Sequence, residues 1–237
     1  MARGHADYMK DVGQSAEGEF LPILAIPPVW WGTDFEAGVH NFLVTGGTAT
    51  LLTGGYVDTD APGAFSGAGY LRLLTPVAGI GIISQLIGWG ISSKICGIEC
   101  WFCLKDKTKF TADYLGVVPI NLLWFDGTNL NVISLAYNST NNKFAIVTGA
   151  GAEYSEVATV NLLQASWHYV KVVFDITNSI YKKVYIDGLS YDVSSVAIAQ
   201  SAAVTGIRLF IGISAKGAAA QQGTIFVDRM RLTYNEV

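Results

Sequence analysis

Three stretches near the end of the chain decide the fold: Trp167-His-Tyr-Val-Lys-Val-Val-Phe-Asp175, Lys182-Lys-Val-Tyr-Ile-Asp-Gly188 and Ile225-Phe-Val-Asp-Arg-Met-Arg-Leu232. In the first, Val170, Val172 and Phe174 fall on one side of a strand, and Tyr169 and Lys171 on the other. In the second, Val184 and Ile186 oppose Lys183 and Tyr185. Side chains alternate along a strand, so each stretch has one face for a core and one for solvent. Asp187-Gly188 then supplies a tight turn. The pattern predicts half-buried antiparallel strands and an all-β sandwich.

Working outward, the same signals predict strands near 40–45, 48–53, 69–75, 80–87, 96–105, 118–125, 130–137, 143–148, 156–163, 167–175, 181–187, 206–213 and 224–234. Gly46-Gly47, Gly54-Gly55, Pro62-Gly63, Asp126-Gly127 and Asn141-Asn142 punctuate them. Ile207, Leu209, Ile211 and Ile213 share a face and mark a core strand. Residues 73–93 carry no charge, but Pro76, Gln85 and four glycines interrupt them. They read as buried strands with a turn rather than as the roughly 20 apolar residues of a membrane helix.

The chain has 237 residues, 51% of them hydrophobic and only 14% charged, against about 25% charged in an average domain. Either much of its surface is buried against neighbours, or Ser, Thr, Asn and Gly coat it. A net charge of −4 with no basic block argues against nucleic acid as a partner. Residues 1–29 read as an extended arm and 30–237 as one sandwich domain. Pro22, Pro27 and Pro28 forbid regular ladder pairing in the arm, while Leu21, Ile23, Leu24 and Ile26 give it apolar surface. Trp30 and Trp31 sit at its exit. Such an arm is expected to contact other copies of the chain. The opening residues lack an apolar central region and carry Asp7, Lys10 and Asp11, so synthesis in a cytoplasm without a signal peptide is expected.

Thr33-Asp-Phe-Glu-Ala-Gly38, Ala64-Phe-Ser-Gly-Ala-Gly-Tyr-Leu-Arg-Leu73 and Phe226-Val-Asp-Arg-Met-Arg-Leu232 together resemble the concanavalin A-like and galactose-binding-like jelly rolls. Those include laminin-G-type domains and many carbohydrate-binding modules. The Trp167…Asp187-Gly188 stretch is similar to the hairpin of concanavalin A-like domains. The resemblance covers residues 33–75 and 165–234 and implies a jelly-roll β-sandwich. It also implies a structural calcium shared by Glu36 and Asp228. The residues give a separate reason to look, because alternation in 225–232 puts Asp228 on the apolar face with Phe226, Met230 and Leu232. A carboxylate there must be paired, hydrogen-bonded or metal-bound. The alternatives are a bulge that turns it outward, or a pairing with Arg72 or Arg208.

Hydrolytic chemistry finds little support. His5 lies in the arm, His40 just before a strand, and His168 on the core-facing register beside Trp167. There is no Gly-x-Ser-x-Gly elbow and no phosphate-binding glycine loop. Glu99 stands without the second carboxylate that a jelly-roll glycosidase places close by. Cys96, Cys100 and Cys103 lack a fourth ligand nearby and read as buried thiols. Among six tryptophans, Trp101 and Trp124 are the candidates for a sugar-stacking platform. Trp101 alternates opposite Cys100 and Phe102, and Trp124 precedes a turn.

The expectation is therefore a non-enzymatic structural assembly protein of a virion, such as a capsid, decoration or tail component. Its partners would be its own copies and other particle proteins. The alternative is a carbohydrate-binding module that recognises a glycan through exposed tryptophans.

Overall fold

The computed structural model describes residues 29–33, 42–53, 65, 69–88, 94–149, 153–202 and 207–236. Sixteen strands lie among them: β1 Val29–Thr33, β2 Leu43–Thr45, β3 Thr48–Thr53, β4 Gly69–Leu74, β5 Ile80–Gly88, β6 Ile95–Leu104, β7 Val117–Phe125, β8 Asn129–Asn138, β9 Lys143–Thr148, β10 Glu153–Thr159, β11 Trp167–Asp175, β12 Ile180–Ile186, β13 Leu189–Asp192, β14 Ala199–Ala202, β15 Arg208–Lys216 and β16 Thr224–Tyr234. A 3-10 turn at Lys107–Lys109 is the helical element among the described residues. None of their helices is long and apolar enough to cross a membrane.

The strands form two antiparallel sheets. The first runs β13-β12-β11-β6-β16-β4-β3, with β1 also on β16. The second runs β10-β9-β8-β7-β15-β5-β2, with β14 on β8. This is the expected all-β jelly-roll sandwich. Its core sits between the inner faces. Ile98, Phe102, Val172, Phe174 and Met230 come from the first sheet, and Ile83, Leu122, Ile133, Leu135 and Ile211 from the second. All are at most 0–1% exposed, and each contributes roughly 1.5–3 kcal/mol by leaving water. The Tyr181 hydroxyl crosses the core, 3.0 Å from the Val147 carbonyl and 3.3 Å from that of Val132. It thereby sets one end of the first sheet over one end of the second.

Most expected strands appear, with informative differences. β1, β13 and β14 fall outside the expected set. The last two are four residues each, too short for alternation to stand out. β10 begins at Glu153, not 156, and a bulge at Glu156/Ala158 breaks its period. The uncharged 73–93 stretch contributes the end of β4, a turn and β5, but β5 is not wholly buried: Ile80 and Leu86 are 42% and 53% exposed. Val29 already pairs with Thr233, and Trp31 with Leu232, so Trp30 and Trp31 lie in a sheet strand. Leu21, Ile23, Leu24, Ile26 and Glu36 lie outside the described residues.

The largest correction concerns β16. Asp228 pairs with Trp101, but Arg231, three residues on, pairs with Glu99, only two residues back. The extra residue is a bulge, and Arg229 there takes a left-handed φ of 47°. The phase of alternation therefore slips. Ile225, Val227, Met230 and Leu232 face the core. Phe226 instead joins Tyr70 and Cys103 in a second cluster, and Asp228 lies on that outer side with Phe226. It is nevertheless fully buried.

The outer face of the second sheet is apolar at one end. Leu86, Phe210, Leu123 and Val132 form a row across β5, β15, β7 and β8. Phe125 and Leu130 pair beside it. The Phe125 and Phe210 rings meet edge to face, 6.2 Å apart. Leu86 is 53% exposed and the others are half-buried.

Candidate functional site

β11, β6 and β16 lie side by side, so two cross-strand rows form on the outer face of the first sheet. Tyr169, Trp101 and Asp228 make one; Lys171, Glu99 and Arg231 make the next. Alternation placed Tyr169, Lys171 and Trp101 on this side. The bulge in β16 brings Arg231 there as well.

Glu99 is held from three directions. The Tyr169 hydroxyl donates to its Oε2 at 2.8 Å. Lys171 Nζ lies 3.6 Å from the same oxygen, and Arg231 Nη1 3.7 Å from Oε1. Lys171 also pairs with Glu236 at 2.6 Å, and Thr233 hydrogen-bonds that carboxylate. Burial, and then the negative charge of Glu99 beside it, push the Tyr169 phenol far above its usual pKa. A carboxylate so surrounded is a fixed acceptor.

At the rim, the β12–β13 hairpin turns through Asp187 and Gly188, with φ of 47° and 85°, the turn that a two-residue loop favours. Asp187 Oδ1 accepts the Tyr169 amide at 2.9 Å. Its Oδ2 lies 2.7 Å from His168 Nδ1, while His168 Nε2 lies 3.0 Å from the Leu163 carbonyl. Both partners are acceptors, so the ring satisfies both when both nitrogens carry protons. Burial opposes that charge, but Asp187 and the Leu163 carbonyl outweigh it and raise the His168 pKa. Its Nε2 thus faces a backbone carbonyl.

Above these rows, Phe65 stacks on one face of Trp101, with centroids 3.7 Å apart and planes at 14°. Tyr169 flanks the indole at 5.3 Å, and the Arg229 guanidinium lies 5.5 Å from the Phe65 centroid. Glu99, Trp101, Tyr169, Asp187, Gly188, Arg229 and Arg231 enclose a cleft of about 510 Å³. That is within the ~300–1,000 Å³ typical of small-molecule sites. It offers guanidinium donors, carboxylate acceptors and aromatic edges.

Of the sequence candidates, the structure brings Trp101 into the cleft. Trp124 lies on β7 in the other sheet and packs, half-buried, against the main core, away from this cleft. Asp228 lies beneath the outer face, and its Oδ1 accepts the Arg229 amide at 2.7 Å. Among the described residues, no three His, Cys, Asp or Glu side chains gather as metal ligands. Glu36, the other expected calcium ligand, lies outside the described residues. Cys96, Cys100 and Cys103 are buried free thiols. Sequence reading missed Arg229 and Arg231, whose side depends on the bulge. It also took Asp187 for a turn residue alone.

No family model matches the chain, and no curated protein does. Solved structures do. A carbohydrate esterase from Shiga toxin-encoding bacteriophage phi24B has a TM-score of 0.55 at 13% identity, over 89% of this chain and 100% of that one. The globular domain of T. cruzi calreticulin has a TM-score of 0.52 at 11% identity, over 88% of this chain and 89% of that one. Peanut lectin has a TM-score of 0.47 at 13% identity, over 80% and 97%. The first two show that this chain shares the lectin-like sandwich fold.

Proposed function

We propose that this chain is a non-enzymatic carbohydrate-binding module whose ligand site is the cleft on the outer face of the first sheet. The observation that carries the reading is the grouping of Arg229, Arg231, Glu99 and Asp187 around Trp101 and Tyr169. A saccharide presents hydroxyls that both donate and accept, and C–H faces that pack on aromatic rings. The cleft offers the guanidinium groups of Arg229 and Arg231, the carboxylates of Glu99 and Asp187, and the apolar surface of Trp101 and Tyr169. Binding without turnover is supported by the engagement of both His168 nitrogens, with Asp187 and with the Leu163 carbonyl. The phage protein of like fold is described as a carbohydrate esterase; here no serine hydrogen-bonds His168 among the described residues. A glycan array tests the reading. Some glycan should bind the folded protein, and Trp101→Ala should lose it. A blank across the array with folded protein would refute the reading.

A second reading is a structural assembly protein, as of a virion. The low charge content and the apolar outer row of the second sheet favour it. The two readings coincide in a particle protein that touches a host glycan. The mass of the purified protein, monomer or large assembly, tests the assembly reading, and the glycan array tests the other.

A further inference from the structure

The apolar row Leu86–Phe210–Leu123–Val132 has no counterpart in the cleft's chemistry, and it lies on the opposite sheet. We infer that this row is the docking surface for the apolar arm segment Leu21–Pro28 of a second copy of the chain.

Three observations lead there. The first is composition. Leu21-Pro-Ile-Leu-Ala-Ile-Pro-Pro28 is uncharged and apolar, and its three prolines lack the N–H groups that strand addition at a sheet edge uses. A proline-rich apolar segment is therefore matched to a face of side chains rather than to an edge. The second is where the arm begins. Val29 pairs with Thr233, next to the residue Tyr234 that pairs with Cys96. Cys96 pairs with Phe174, and Phe174 with Tyr181. Tyr181 reaches through the core to the Val132 carbonyl. The arm thus leaves the sandwich at the same end as the apolar row, but from the other sheet.

The third is reach. Passing from one sheet to the outer face of the other spans about 10 Å between sheets plus about 5–10 Å of side chains, or roughly five to six extended residues at ~3.3 Å each. A crossing of that length within one chain would use up about six residues before Val29 and would leave little of the apolar run for the row. Seated on a neighbour, the whole run is available to the row. The prolines restrict the arm before it docks, which lowers the entropy lost on docking.

The test uses full-length chains. One variant carries Ile23→Asp and Leu24→Asp in the arm. The other carries Leu123→Asp and Phe210→Asp on the outer row. Sedimentation equilibrium should show that the native chain self-associates and that each variant sediments as a monomer with unchanged circular dichroism. An equimolar mixture of the two variants should associate again, because one keeps its row and the other its arm. A photocrosslinker in place of Leu24 in the native chain, mixed with isotope-labelled chains, should mark β5, β7 or β15 of the other copy. The crosslink result stands even where a charged variant misfolds. A monomeric native chain, association untouched by either variant, variants that do not restore each other, or crosslinks within one chain would each overturn the inference.

Discussion

Lys171 Nζ lies 2.6 Å from Glu236 Oε1, and the contact passes over the bare Cα of Gly97. A Cβ at Gly97 would stand 2.5 Å from that oxygen, 2.6 Å from Thr233 Oγ1 and 2.8 Å from Lys171 Cε. The glycine in the middle of β6 is what lets two buried charges meet on the outer face and hold Glu99 beside the cleft.

Gly97→Ala should therefore destabilise the fold by about 1–3 kcal/mol, the usual range for forcing extra volume into a packed site. Lys171→Met should do more, about 3–5 kcal/mol, because it leaves the Glu236 carboxylate buried without its cation. Chemical denaturation of the two variants beside the native chain measures both. A Gly97→Ala midpoint equal to the native one would contradict the packing described.

The His168–Asp187 pair makes stability depend on pH. The folded-state pKa of His168 is raised above its ordinary value near 6.5, so the folded chain holds that proton more tightly than the unfolded one. Its contribution is complete below about 6.5 and is lost as pH rises through the raised folded value. Urea midpoints taken from pH 5.5 to 9 should fall across that window, and Asp187→Asn should flatten the fall. A native midpoint that rises over the same window would contradict this sign.

The three thiols should be inert in the folded protein. Burial, and then the charge of Glu99, push the Cys100 thiol far up, and burial raises Cys103 to about 12. The thiolate is the reactive form. A thiol reagent at pH 8 should label the chain only as fast as it unfolds, and in denaturant it should count three cysteines. Rapid labelling of native protein would contradict the burial.

The fold was legible in the sequence where alternation ran long and clean, as in 167–175 and 181–187. There the faces of Val170, Val172 and Tyr169 follow from period two alone. It was illegible where a single inserted residue shifts the period. The bulge at Arg229 set Asp228 on the outer side and carried Arg231 into the cleft; the sequence offered a bulge there only as an alternative, and no local composition decides for it. Trp101 was legible as outward-facing because Cys100 and Phe102 bracket it. The face of Trp124 was not legible, because a position before a turn does not say which face a side chain takes. The contacts that shape the cleft join residues 99, 169, 231 and 236, which are brought together by the strand order and not by any sequence spacing.

The most direct measurement is calorimetric titration of the best glycan from an array into the native chain, Trp101→Ala and Arg231→Met. A hydrogen bond from a charged donor contributes about 1.5–3 kcal/mol, so Arg231→Met should weaken binding about 10–100-fold. Trp101→Ala should abolish it, and a Trp124→Ala control that still folds should bind like the native chain. Native-like affinity in both cleft variants would contradict the assignment of the cleft as the glycan site.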